Sequence, residues 1–189
     1  MSRMDIQPDI IERAIQVAID AHRGQTRKGS EIPYITHPIA VGFILARAEA
    51  SDELIAAGIL HDTVEDTTLT EEDIERQFGS NVARLVAGAS EPDKSLSWKE
   101  RKDHTIDYLK AAPEDVRLLT CADKLHNIRS IRRDLETMGD SLWDRFKRGK
   151  PHQEWYYRSV VDSLGTQGTF ELLEELRTEV DAVFGSSEA

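Results

Sequence analysis

Cysteine occurs once, at Cys121, so no internal disulfide can form and the sequence suits a reducing compartment, by default the cytoplasm. Long hydrophobic runs are missing as well. The longest stretch without a charge, Ile32 to Ala46, contains Pro33, His37 and Pro38 and falls short of the roughly 18 apolar residues that a membrane span needs. The opening residues, MSRMDIQPD, lack the apolar segment of a secretory signal. Bases are scarce: 24 Lys and Arg stand against 35 Asp and Glu, a formal net charge of −11. A broad footprint on a nucleic acid polymer needs a basic face and is disfavoured. A small anionic ligand is not, because a few well-placed bases bind phosphate inside an acidic protein. Arg23, Arg27 and Lys28 lie together near the start, whereas the stretch from Glu171 onward is acidic.

Runs of alternating β-branched residues, internal repeats, low-complexity tracts and a dividing linker are also absent. What remains is 39% apolar and 31% charged over 189 residues, the balance of a soluble globular chain. At about 150 residues per domain, one compact domain is expected, large enough to bury a core without disulfides.

Helical periodicity is what the chain has in abundance. Ile10, Ile11, Ala14, Ile15, Ala18 and Ile19 recur at steps of three and four, a helix reaching about Arg23. The pattern continues over Ile39–Ala48, Glu53–Leu60, Glu71–Phe78 and Val82–Ala89, from Pro113 to about Arg129, over Glu154–Leu164 and over Phe170–Phe184. Thr70 before Asp73 and Ser97 before Glu100 have capping-box spacing, and Gly79-Ser80 separates two helices. Three segments read as loops: Gly24–Pro33, Glu91–Leu96 and Met138–Pro151, the last basic towards its end. The expectation is an all-α domain of eight to ten helices.

The densest polar cluster follows an apolar helix: His61, Asp62, Thr63, Val64, Glu65 and Asp66 directly after IAAGIL. In a helix, His61 and Glu65 would share a face, as would Asp62 and Asp66. Such a cluster reads either as metal ligands at a helix end or as hydrated acids where a helix turns into solvent. His37 stands before Pro38 at a helix start. Asp123 lies within a mainly apolar helical stretch, and a buried Asp needs a cation or donors, so a salt bridge to Lys124 or to an arginine is the alternative to ligation. Together His37, His61, Asp62 and Asp123 offer two imidazoles and two carboxylates, a set better suited to Mn, Fe or Zn than to Ca or Mg.

The strings AHRGQTRK, PYITHP, AAGILHDTVEDT, FGSNVARLV and CADKLHNIRS, in that order, resemble the successive motifs of the HD-domain hydrolases of the RelA/SpoT type. The resemblance spans about residues 14–164, with the helix 170–184 beyond it, and is to the stand-alone small alarmone hydrolases, which KERKDHTIDYL also resembles. It implies a single HD-type phosphohydrolase domain over residues 1–189. It implies one Mn²⁺ held by His37, His61, Asp62 and Asp123, with Glu65 and Asp66 around the attacking water. Arg27, Lys28 and Asn127 would contact the nucleotide. The implied reaction removes pyrophosphate from the 3′ position of guanosine tetra- or pentaphosphate. A bound divalent cation would activate water and polarise a phosphoryl oxygen. Glu65 or Asp66 would move the proton, which of them being open, and Arg27 with Lys28 would offset diphosphate charge if they are not simply an exposed basic loop.

Other residues rank lower. His22 reads as a hydrogen-bonded packing residue, and His104 and His152 as surface. His126 is either a support for the Asp123 region or an ordinary surface histidine. Trp155, Tyr156 and Tyr157 look like core, with Tyr157 the member that would line a base pocket. Arg145–Lys150 reads as a solvated loop with a possible outer-phosphate role, and Cys121 as inert core. Three functions remain: the guanosine 3′-pyrophosphohydrolase, the same chemistry on an adenosine counterpart or NADPH, and a nucleotide-binding regulator without catalysis. The joint presence of His37, His61, Asp62, Glu65, Asp66 and Asp123 argues against the third.

Overall fold

The computed structural model describes residues 9–91 and 95–186. Among them the backbone forms α1 (Ile10–Ala21), α2 (Thr36–Arg47), α3 (Asp52–Leu60), α4 (Thr63–Asp66), α5 (Glu71–Phe78), α6 (Ser80–Ala89), α7 (Trp98–Leu109), α8 (Glu114–Met138), α9 (Gly149–Gly165) and α10 (Glu171–Phe184). A short 3₁₀ segment, Gly139–Arg145, joins α8 to the approach of α9. The described residues contain no strand, only an isolated bridge between Thr26 and Pro33, so the all-α expectation holds. None of their helices is long and apolar enough to cross a membrane.

The helix α3 occupies the centre because nearly all of it is apolar: Leu54 through Leu60 are all buried. Around it pack α1, α2, α6 and α8. Two glycines let α2 and α3 approach closely. A Cβ on Gly42 would meet Ile59 Cγ1 at 2.7 Å, and one on Gly58 would run into Leu45. The helix starts are fixed by side chains. Asp9 and Ser51 cap α1 and α3, while Thr70 and Ser97 form the reciprocal capping boxes that their spacing predicts.

Two stretches differ from expectation. The helix carrying Asp123 runs on to Met138, well past Arg129. Ile131 and Leu135 extend its apolar face, and Arg129 and Arg132 pair with Glu175 and Glu179 of α10. The stretch from Met138 to Pro151 is not a plain loop: its 3₁₀ segment buries Leu142 and Trp143, and α9 already begins at Gly149. Of the expected loop Glu91–Leu96, residues 92–94 lie outside the described residues. In α2, His37 and Pro38 are the second and third helical residues, so the proline lies within the first turn and not at its opening position.

Candidate active site

Three helices deliver one cluster. His37 comes from the first turn of α2, His61 from the residue that ends α3, and Asp123 from the middle of α8. Their ligand-capable atoms all lie within 4.8 Å of one another, and all three residues are buried. Nε2 of His37 is 3.2 Å from Oδ1 of Asp123, and Nε2 of His61 is 3.8 Å from the same oxygen. Asp62 joins them, its Oδ2 being 3.1 Å from His61 Nε2 and 3.5 Å from His37 Nε2.

The arrangement fits a divalent cation on its own chemistry. His61 Nδ1 lies 2.8 Å from the carbonyl of Gly58, which accepts only, so that nitrogen carries a proton and donates it. The neutral ring then turns an Nε2 lone pair, buried and without a hydrogen-bond partner, towards two carboxylates. Such a lone pair is stable there only with a positive charge between the groups. The protein supplies the charge by protonation when no cation does so: burial works to lower His61, but Asp62 and Asp123 outweigh it and push it up to about 9. Burial lowers His37 and leaves it neutral. Despite their own burial, Asp62 is held well below the usual carboxylate range by His61, and Asp123 by Lys124 and the two histidines. Two imidazole nitrogens and two ionised carboxylates suit a divalent transition cation.

Asp62, Asp123 and His37 each have a further side-chain partner. Tyr34 donates its hydroxyl to Asp62 Oδ2 at 2.6 Å. Asn127 donates to Asp123 Oδ1 at 2.6 Å and Lys124 to Asp123 Oδ2 at 2.7 Å. The salt bridge that offered an alternative reading of Asp123 therefore exists beside the histidine cluster. Nδ1 of His37 meets Nδ1 of His126 at 2.7 Å, so His126 is no ordinary surface histidine.

The chain bends after α3, and the single turn α4 sends Glu65 and Asp66 different ways. Glu65 is half-buried and accepts the backbone N–H of Glu91 at 3.2 Å. Burial raises its pKa, and the carboxylates of Glu91, Asp66 and Asp62 add to the effect. Glu91 in turn is paired with Arg101 at 2.9 Å and with Lys102. Asp66 is exposed, and its carbonyl accepts from Gln25, whose side-chain oxygen meets His22 at 2.7 Å. His22 is a buried, hydrogen-bonded packing residue, and His104 and His152 are exposed, as expected. Cys121 is fully buried, and burial pushes its thiol far up, which leaves it inert.

Two clefts, of about 460 and 480 Å³, meet beside the cluster and share Lys28, Asn127, Phe146 and Tyr157 as a common wall. Cations line both. Arg101, Lys102, Lys124, Lys147 and Arg148 face the first, and Arg27, Arg133 and Arg145 the second. Arg27 donates to Asn127 Oδ1 at 2.8 Å and lies over the Tyr34 ring, while Lys28 sits 5.3 Å from the centre of the Phe146 ring. Arg145, Lys147 and Arg148 thus line the clefts, with Lys147 and Arg148 exposed to solvent. Tyr157 is both buried core and cleft wall. Tyr34, Glu91, Lys102, Lys124 and Arg133 were not singled out from the sequence as site residues. For Tyr34 and Lys124 a signal was present, since Tyr34 lies within PYITHP and Lys124 adjoins Asp123 as its alternative salt-bridge partner.

Residues 14–148 match the HD domain family. The chain belongs to the HD domain family. Among proteins similar to this HD domain is the bifunctional (p)ppGpp synthase/hydrolase SpoT of Escherichia coli K12, 38% identical over 175 residues, 89% of this chain but 24% of the relative. The chain thus spans about a quarter of the length of its SpoT-type relatives. A guanosine-3′,5′-bis(diphosphate) 3′-pyrophosphohydrolase of Danio rerio is 37% identical over 165 residues, covering 86% of this chain and 88% of that protein. The solved structure of a metazoan SpoT orthologue, described as hydrolysing ppGpp, superposes with a TM-score of 0.78 at 32% identity, over 93% of this HD domain chain and 96% of its own.

Proposed function

We propose that this protein hydrolyses guanosine 3′,5′-bis(diphosphate), and the pentaphosphate, at the 3′ position, releasing pyrophosphate and GDP or GTP, with Mn²⁺ as its cation. The observation that carries the reading is the position of the His37, His61 and Asp123 cluster beside the junction of two cation-lined clefts. A nucleotide with a diphosphate at each end of its ribose is anionic in two directions, and two basic clefts meeting at a reaction centre are complementary to it. The similarity to named 3′-pyrophosphohydrolases supports the same substrate class. The chain is read as one phosphohydrolase domain acting in the cytoplasm on a small nucleotide, with no nucleic acid polymer or membrane as partner.

In this reading His37, His61, Asp62 and Asp123 hold the cation. When bound, it supplies Lewis-acid polarisation of a phosphoryl oxygen and activates water near neutral pH. Glu65, whose pKa burial raises, moves the proton: as a carboxylate it takes one from the attacking water, and as an acid it returns one to the 3′ oxygen as the phosphorus–oxygen bond breaks. Asp66, on the exposed side of α4, orients solvent. Arg27, Lys28 and Asn127 bind the nucleotide, with Tyr157 at its base, and Lys102, Lys124 and Arg148 offset the charge of the departing diphosphate.

The test is turnover of metal-stripped protein with and without added Mn²⁺ on guanosine and adenosine 3′-diphosphate nucleotides and NADPH, with products resolved by anion exchange. Mn²⁺-dependent pyrophosphate release, fastest from the guanosine compounds, is expected. Release from none of them by folded, metal-loaded protein would overturn the reading. Faster release from the adenosine compounds, or phosphate release from NADPH alone, would reassign the substrate.

A further inference from the structure

The two candidate histidine ligands are anchored differently. His61 rests its Nδ1 on a backbone carbonyl, that of Gly58, whereas His37 meets a side chain, with Nδ1 of His126 at 2.7 Å and the ring centres 4.9 Å apart. Two ring nitrogens at that distance share one proton: one donates and the other offers a lone pair. The far side of His37 decides which is which. Its Nε2 faces Asp123 at 3.2 Å and Asp62 at 3.5 Å, and to bind a cation among those carboxylates it must carry a lone pair. The proton of a neutral His37 is then on Nδ1 and is donated to His126. His126 must present a bare Nδ1 and keep its own proton on Nε2.

We propose that His126 is a positioning residue that holds His37 in the tautomer and ring orientation required for Nε2 ligation. The inference rests on the metal-centre reading above and not on the identity of the nucleotide. His126 stands one turn after Asp123 on α8, so the helix that supplies one ligand also orients a second, borne by α2. Outer partners of this kind fix the tautomer of a ligating imidazole and typically change metal affinity 10–100-fold when removed.

Calorimetric titration of metal-stripped protein with Mn²⁺ tests this without any substrate. His126→Phe keeps a ring and removes the acceptor, and His126→Asn places an amide oxygen where Nδ1 was. The Phe variant is expected to bind Mn²⁺ about 10–100-fold more weakly than the wild type, and the Asn variant to recover to within about threefold. A Phe variant that binds as tightly as the wild type, or an Asn variant as weak as Phe, would overturn the role of His126. A wild type that binds no Mn²⁺ would overturn the metal-centre reading and this inference with it. Long-range proton–nitrogen correlation spectra of the Zn²⁺-loaded wild type give a second readout that does not depend on a variant folding. His126 protonated on Nε2 is expected, and protonation on Nδ1 would refute the assignment.

Discussion

The hydroxyl of Tyr34 donates a 2.6 Å hydrogen bond to Oδ2 of Asp62. Tyr34 lies in the segment just before α2 and Asp62 just after α3, so one contact ties the two chain segments that carry His37 and His61. The same Oδ2 faces both imidazoles, 3.1 Å from His61 Nε2 and 3.5 Å from His37 Nε2, so Tyr34 fixes the carboxylate oxygen that looks into the cluster. Tyr34→Phe is therefore expected to weaken Mn²⁺ binding about tenfold with the fold unchanged, read by calorimetry and by far-ultraviolet circular dichroism.

Glu65 is the half-buried member of its acidic pair, and its environment favours the protonated form. Glu65→Gln keeps the shape and the hydrogen bond from the Glu91 N–H while removing the exchangeable proton. The expected result is a kcat lower by about 10²–10⁴, with KM and Mn²⁺ affinity close to wild type. A parallel Asp66→Asn variant is expected to lose less. Equal losses would mean that the two carboxylates share the proton transfer.

Mn²⁺ binding is expected to depend steeply on pH. Without a cation His61 is held protonated up to about 9, so binding at neutral pH must displace its proton. Apparent affinity should rise about tenfold per unit from pH 6 to pH 8 and level off above about 9, as titrations in buffers of different ionisation enthalpy would reveal. The metal-free protein should behave in the opposite sense. A histidine raised on folding contributes stability that is complete below about pH 6.5 and is lost as pH climbs through about 9, so its Tm should fall across that window. Saturating Mn²⁺ should remove that decline.

Lys124 and Asp123 form a largely buried pair, and removing one partner leaves the other uncompensated. Lys124→Met is expected to destabilise the metal-free protein by about 3 kcal/mol in urea unfolding. A bound cation replaces part of the lost charge, so the penalty should shrink when Mn²⁺ is present. An equal penalty with and without metal would place the cation away from Asp123.

How much of this was legible in the sequence follows from periodicity. His37, His61, Asp62 and Asp123 could be gathered because each opens, interrupts or follows an apolar helix, where a polar group stands out. Lys124 could be named as a salt-bridge partner for Asp123 only as an alternative to ligation, not as a neighbour of the histidine cluster. Consecutive helical residues do not face each other, and only the long flexible stem brings its ammonium back to the neighbouring carboxylate. Tyr34 lies in an irregular segment with no period to read. The continuation of α8 to Met138 was hidden for a different reason: the carboxylates that pair with Arg129 and Arg132 arrive from α10, some 45 residues later in the chain. The 3₁₀ segment with Leu142 and Trp143 is too short for a helical period to register.

One uninterrupted helix, α8, carries Asp123, Lys124, His126 and Asn127, and then the arginines that dock α10. A helix advances about 100° and about 1.5 Å per residue. A single codon inserted between Asp123 and Asn127 would therefore swing Asn127 away from Arg27 and turn Arg129 and Arg132 off Glu175 and Glu179 in one event. The loop bearing Arg27 and Lys28 lies between helices, so a residue added at its tip near Ser30 leaves every helix in register. A change of length is therefore expected to be borne by the connections and not by α8, where one added or lost residue rotates everything beyond it.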